Sequence, residues 1–220
     1  MNTRTLTHMI AAAASAAALV TAVPASGTTL EVEAGSFDSL TNTLAQAAAG
    51  DVVNVPAGTY ETQCELFITN AITLQGMGGD REAVVLKRSG TNGNYRVMTV
   101  SNAWAVVSGL TICNGSANDG TYHAPGRSSG VYLNAGMVTN CVLRDNMDAT
   151  SYYGRGGGAY LATAGALLVD CVVTNNYASQ SDGSILAGGG IYAEAGIVRR
   201  CVIAGNWTRG GGGGIWAKRT

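Results

Sequence analysis

The chain has 220 residues, a charged fraction of 12%, a formal net charge of −1 and 31 glycines. So low and balanced a charge argues against a nucleic-acid or other polyanionic partner. Five widely spaced cysteines and two histidines offer no CxxC-type spacing for a zinc site.

Residues 1–25 read as a secretory signal peptide. Arg4 and the amino terminus give a short positive start, residues 10–23 are apolar and Ala-rich, and Val23-Pro24-Ala25 supplies a small-residue cleavage site. The apolar run is shorter than the ~18 residues of a membrane span, and no later stretch is long and apolar enough for a transmembrane helix. The chain is therefore expected to be secreted or placed at the cell envelope or outer membrane surface. What remains, about 195 residues, is enough for one domain with a sizeable core.

Residues 26–50 form an N-terminal segment, and residues 36–50 within it carry the one amphipathic helical pattern. Phe37, Leu40, Leu44 and Ala47 or Ala48 share a face, Ser36 or Asp38 starts it and Gly50 stops it. A stacked sheet leaves its first rung unpaired, so this helix is expected to cap the N-terminal end of the core. Asp51-Val52-Val53-Asn54-Val55 begins the first coil, and Pro56-Ala57-Gly58-Thr59-Tyr60 turns it. Further strands are expected at 66–69, 72–75, 84–87, 96–100 and 106–112, several of them separated by glycines.

From Gly130 the sequence repeats itself: GVYL then TNCVLRDN, GAYL then VDCVVTNN, GIYA then RRCVIAGN, and finally GIWA. Cys141, Cys171 and Cys201 are 30 residues apart (171−141, 201−171), and Asn146, Asn176 and Asn206 keep the same interval (176−146, 206−176). The opening glycines, 130, 158, 190 and 214, are less regular, so loop lengths compensate. Repetition at this period indicates a solenoid or array in which each unit buries its apolar side on its neighbours. Inside each block the period is two: Cys and then Leu143, Val173 or Ile203 point one way, with variable neighbours between them. Short strands, glycine-rich corners and a period near 30 predict an all-β, right-handed parallel β-helix over 51–220. About six coils are expected, each ~4.8 Å above the last.

Stacking in register turns recurrence into contact. Cys141, Cys171 and Cys201 are expected to form an inner ladder headed by Leu110, because residues 107–112 align with 138–143. Buried thiols are expected there, since parallel side chains fit poorly to the ~90° torsion of a disulfide; Cys64 and Cys113 have no assigned place. Asn146, Asn176 and Asn206 fall where the strand turns and are expected to pass amide hydrogen bonds from coil to coil. Tyr132, Tyr160, Tyr192 and Trp216 form an outward aromatic column, and Met147, Tyr177 and Trp207 a second. Such stripes either stack on sugar rings or a partner protein, or ladder for their own packing at ~0.2–1 kcal/mol per pair.

No constellation for catalysis emerges. Lyases and hydrolases on a solenoid need a base, or carboxylates gathered at adjacent column positions. The column before the cysteines is instead Asn140, Asp170, Arg200, and the one three after them is Arg144, Thr174, Ala204. Asp145 and Asp148 near Arg144 read as a solvated corner. His123 with Asp119 and Ser128 lacks the strand-turn-helix context of a nucleophile elbow. The glycine tracts follow loops and open strands, the reverse of a phosphate loop. No catalytic residue, cofactor or metal is assigned.

The runs GDVVNVPAGTY, AITLQGMG and VVSGLTICNG resemble the opening coils of right-handed parallel β-helix proteins of the pectin-lyase-like superfamily. CVVTNN, GGGIYA, CVIAGN and GGGIWA resemble the repeats of polymorphic outer membrane proteins and related autotransported surface proteins. Together these cover roughly residues 50–220. The resemblance implies an exported surface or adhesin-like protein, non-catalytic, that presents a long face to a glycan or a protein partner. The alternative is a polysaccharide lyase or glycoside hydrolase, but the W-I-D-H and R-x-P-x-x-R motifs of pectate lyases and the N-T-D, G-H-G and R-I-K motifs of polygalacturonases are missing. Because the last residues lie one strand into a new coil, the chain is expected to be the front of a longer product, with further coils and a membrane barrel or other anchor.

Overall fold

The structure, a computed structural model, describes residues 27–90, 94–117, 128–148, 154–179 and 188–218. The expected signal peptide, and His123 and Asp119 of the weighed triad, lie outside the described residues. In chain order the strands are β1 (Thr29–Glu31), then after helix α1 (Phe37–Gln46) β2 (Val52–Val55), β3 (Gly58–Thr62), β4 (Leu66–Ile68), β5 (Thr73–Gly76) and β6 (Val84–Arg88). There follow β7 (Met98–Ser108), β8 (Thr111–Cys113), β9 (Val131–Thr139), β10 (Val142–Arg144), β11 (Met147–Asp148), β12 (Ala159–Leu161), β13 (Ala166–Val169), β14 (Val172–Thr174) and β15 (Tyr177–Ala178). The last are β16 (Ile191–Ala193), β17 (Ile197–Arg199), β18 (Val202–Ala204), β19 (Trp207–Thr208) and β20 (Ile215–Ala217).

These pair in parallel into an 11-stranded sheet, a 6-stranded sheet and a 3-stranded sheet that wrap one core, a right-handed parallel β-solenoid. The rungs amount to about 4 turns rather than the six expected. Only β11, β15 and β19 build the third sheet, so the earlier coils are less regular than the repeats.

The register follows the period-two pattern. Val131, Ala159, Ile191 and Ile215 stack, as do Leu133, Leu161, Ala193 and Ala217. Val107 pairs with Val138 and Ile112 with Leu143, which places Leu110 above Cys141 in one fully buried column. Interior stacks of this kind bury Leu74, Leu86, Ile112, Leu143 and Leu168 completely, each worth roughly 1.5–3 kcal/mol of transfer free energy.

Helix α1 packs on β2 and β3 at the N-terminal end, with Leu40 buried and Phe37 and Leu44 partly so. Ser36, not Asp38, is its N-cap, its hydroxyl accepting from the Ser39 N–H at 3.2 Å. The helix ends at Gln46, short of Gly50: the Ala48 N–H, which a further helical turn would need, donates instead to the Asp51 carboxylate (2.8 Å), which also accepts from the Thr28 N–H (2.7 Å). The first rung is also earlier than expected, since β1 pairs with β2. Residues 96–100 and 106–112, expected as two strands, are mostly one: β7 runs through residues 101–105 with two register irregularities and breaks at Gly109.

In the second sheet β8, β10, β14 and β18 are each bracketed by left-handed residues. Gly109, Asn140, Asp170 and Arg200 precede them with φ of 70°, 48°, 54° and 53°, and Asn114, Asp145, Asn175 and Gly205 follow them with φ of 59°, 57°, 53° and 63°. Asn, Asp and Gly tolerate this region and β-branched residues do not. Asn140→Val is therefore expected to lower stability by about 1–2 kcal/mol and Asn140→Gly by less than about 0.5, read from urea unfolding.

Candidate functional site

The two ends of each repeat meet along one line of asparagines. Asn146 Nδ2 donates to Asn176 Oδ1 at 3.0 Å, and Asn176 Nδ2 to Asn206 Oδ1 at 2.9 Å. The same oxygens accept the backbone N–H of Asn146 (3.0 Å) and Asn176 (2.9 Å). Each amide also donates to the carbonyl three residues before the equivalent position one coil back: Ile112 (3.1 Å), Leu143 (2.9 Å) and Val173 (2.8 Å). Asn146 and Asn176 are buried, and every donor and acceptor of these corners is used. The block-opening glycines belong to the same device. A Cβ at Gly130, Gly158 or Gly190 would lie 2.9, 2.9 or 2.8 Å from the amide nitrogen of Asn146, Asn176 or Asn206.

The cysteine column is equally plain. Cys141 and Cys171 are buried and Cys201 is half-buried, all three as free thiols. Each thiol donates to the carbonyl two residues earlier, at 3.1, 3.2 and 3.4 Å. Hydrogen bonding to Cys141, together with burial, outweighs the opposing bond to Cys201 and pushes the Cys171 thiol up to about 12, so it stays protonated and unreactive at neutral pH. Cys113 is buried on the outer face of the second sheet, and burial raises its thiol as well.

The first aromatic column forms as the register requires. Tyr132 and Tyr160 lie 5.5 Å apart, Tyr160 and Tyr192 4.9 Å, Tyr192 and Trp216 4.4 Å, the last two pairs stacked. Thr99 and Phe67 continue the line toward the N-terminus. Its middle is not the open stripe that was expected: Tyr160 is 5% exposed and Tyr192 3%. The segment entering β12 crosses over it, with the Arg155 guanidinium 5.0 Å above the Tyr192 ring, and Arg96 lies 5.0 Å above Tyr132. The Tyr160 hydroxyl donates to Glu194, which also receives Lys218 at 3.1 Å. Burial and that carboxylate raise the Tyr160 phenol, while the same bond, then Lys218, holds Glu194 below the usual carboxylate range.

The second column is the exposed one. Met147, Tyr177 and Trp207 stand in register on the third sheet, Tyr177 and Trp207 stacked at 4.5 Å, with Met147 47% and Trp207 57% exposed. Because these rings face each other along the solenoid axis, they present edges sideways to solvent.

The mixed-charge corner divides. Asp145 pairs with Arg144 at 2.6 Å on the surface, as a solvated corner should, but Asp148 is fully buried and its carboxylate accepts the Arg155 N–H at 2.9 Å. Ser128 is buried. A shallow groove of about 310 Å³ between α1 and β4 is lined by Leu44, Phe67 and Glu65, and Glu65 is already engaged by Arg96 at 3.0 Å and by Thr99. Among the described residues no three His, Cys, Asp or Glu side chains could hold a metal ion, and no helix is long and apolar enough to cross a membrane.

The structural ladders were legible as columns of identical residues. The left-handed corners were missed, although Asn, Asp or Gly at seven of their eight positions was a readable signal and only Arg200 obscured it.

Three carboxylates, Glu194, Asp51 and Asp170, lie below their ordinary range, held by Tyr160 and Lys218, by the Ala48 and Thr28 N–H groups, and by Arg200 respectively. A depressed folded-state pKa contributes stability above the unfolded value, which is lost as pH falls through the folded one. Urea midpoints are expected to be flat near neutrality and to fall below about pH 4, with part of that fall removed by Glu194→Gln. A midpoint that rises on acidification would contradict the assignment. A scan against protein-family models finds no match, and a search of curated proteins also finds none.

Proposed function

We propose that the chain is an exported or cell-surface β-solenoid of adhesin-like type that works by presenting an extended side face to a partner. In this reading it is related to the pectin-lyase-like superfamily and to polymorphic outer membrane repeats, and it is a binding scaffold without chemistry of its own. The observation that carries the reading is the Met147–Tyr177–Trp207 column, an aromatic ladder that leaves large apolar groups open to solvent in register. Repeated apolar groups on a rigid flat sheet give contact area at little cost in conformational entropy. Since the ring faces of Tyr177 and Trp207 are spent on each other, what is offered sideways is ring edges and a thioether, which suits a protein partner better than a flat sugar ring.

The test is a binding screen of the purified protein against cell-surface protein and glycan arrays. Any hit is then repeated with Met147→Ser/Trp207→Ser, whose circular dichroism should match the parent. The reading predicts at least about a tenfold weaker interaction for the double variant, as expected for loss of central apolar anchors. Undiminished binding would remove this face from the account, and release of unsaturated products from acidic polysaccharides would replace the scaffold with a lyase.

A further inference from the structure

The first aromatic column has more than packing built into it. From the half-buried Trp216 inward, centroid separations of 4.4, 4.9 and 5.5 Å join Tyr192, Tyr160 and Tyr132 in one continuous stack. Such separations bring the ring π-systems close to contact, the condition for short electron hops. The surroundings of the three tyrosines differ in sign. Tyr132 and Tyr192 each have a guanidinium 5.0 Å from the ring, which disfavours positive charge there. Tyr160 instead has its hydroxyl bonded to the Glu194 carboxylate. Tyr160 is shielded from water, whereas the Glu194 side chain is 37% exposed and can exchange a proton with solvent.

We propose that this stack is a path for one-electron oxidation that starts at Trp216 and ends at Tyr160, with Glu194 as the proton acceptor. A one-electron oxidant in solvent takes an electron from the Trp216 indole, leaving its radical cation. Tyr160 then returns an electron to Trp216 through Tyr192 and passes its phenolic proton to Glu194 Oε2. The products are neutral Trp216, a neutral Tyr160 radical, protonated Glu194 and the reduced oxidant, so one electron and one proton are accounted for. An oxidised tyrosine is a strong acid, so even a carboxylate held low by Lys218 accepts its proton. The column thereby draws oxidative damage from an accessible indole to a phenol inside the wall of the solenoid.

The experiment uses the full chain carrying Trp104→Phe and Trp207→Phe. Both positions are exposed, and the chain has three tryptophans, so Trp216 remains alone. A photosensitiser of the ruthenium polypyridyl class with a sacrificial electron acceptor generates the oxidant by laser flash, and transient absorption follows the radicals. The expected result is decay of the tryptophan radical matched by growth of a tyrosyl radical, slowed in D₂O. Tyr160→Phe should lengthen the tryptophan radical lifetime about tenfold, the factor that about 1.4 kcal/mol makes in a rate. Glu194→Gln, which keeps the rings and an acceptor oxygen but not the base, should shift it the same way. Equal lifetimes in the parent and both variants, or undiminished matched tyrosyl growth in Tyr160→Phe, would overturn the proposal. If Tyr160→Phe disturbs the stack, as near-ultraviolet circular dichroism would show, the Glu194→Gln lifetime decides alone.

Discussion

Asn176→Ala is expected to destabilise the protein by at least about 3 kcal/mol, because truncation strands three buried groups at once at roughly 1–3 kcal/mol each. The Leu143 carbonyl loses its donor, and the Asn146 backbone N–H and side-chain amide lose their shared acceptor. Asn206→Ala should cost less, since Asn206 is itself half-buried and water can more readily take its place. Asn176→Asp is a sharper control. It keeps an acceptor for Asn146 but sets a carboxylate against the Leu143 carbonyl, so its deficit should grow as pH rises through the carboxylate range. Urea unfolding across a pH series reads all three, and a cost for Asn176→Ala below about 1 kcal/mol would mean that the ladder is ornament rather than support.

The second large effect is expected at the glycine tracts. A Cβ on Gly157 would lie 2.4 Å from the Tyr177 carbonyl oxygen and 2.7 Å from that of Gly189, and one on Gly189 would lie 2.4 Å from the Trp207 carbonyl and 2.5 Å from that of Gly213. All four are backbone atoms, Gly189 and Gly213 on the next rung and Tyr177 and Trp207 on the strand that closes the same turn, so no side chain can swing aside and the backbone itself must move. Gly157→Ala or Gly189→Ala should therefore cost more than about 3 kcal/mol, beyond the usual range for an added methyl, or abolish folding. Gly78→Ala separates this crowding from backbone strain. Gly78 is left-handed at φ +87° but has nothing within 4 Å of the added methyl, so only about 1 kcal/mol is expected, from thermal or urea unfolding.

How much of this the sequence disclosed depends on how local the cause is. The cysteine and asparagine columns were legible because a solenoid repeats one environment, so one requirement leaves the same residue in every turn. The alignment of residues 107–112 with 138–143 was readable for the same reason. Strand β1 was not, since Thr29–Glu31 is three residues long and owes its existence to a partner, β2, beyond an intervening helix. The end of α1 was misplaced because a carboxylate from the next segment, Asp51, captures the Ala48 N–H that another helical turn would need before Gly50 is reached. Which aromatic column would face solvent was also beyond the repeat pattern. Both alternate outward, but only one is crossed by the segment carrying Arg155, and that crossing is set by turn geometry outside the repeated motif. Distinguishing Asp148 from Asp145 failed likewise: Asp145 sits at the left-handed corner after β10, on the surface, whereas Asp148 takes the buried face of the two-residue strand β11.

The ladders, corners and ring stacks all depend on consecutive turns lying directly over one another. Anomalous scattering from native sulfur in crystals of this protein measures that without reference to any assumed chain trace. The account predicts peaks for Cys141, Cys171 and Cys201 on one line, separated by about the 4.8 Å between neighbouring rungs. Peaks that do not fall on a line, or a pair of them fused at the ~2.05 Å of a disulfide bond, would contradict it.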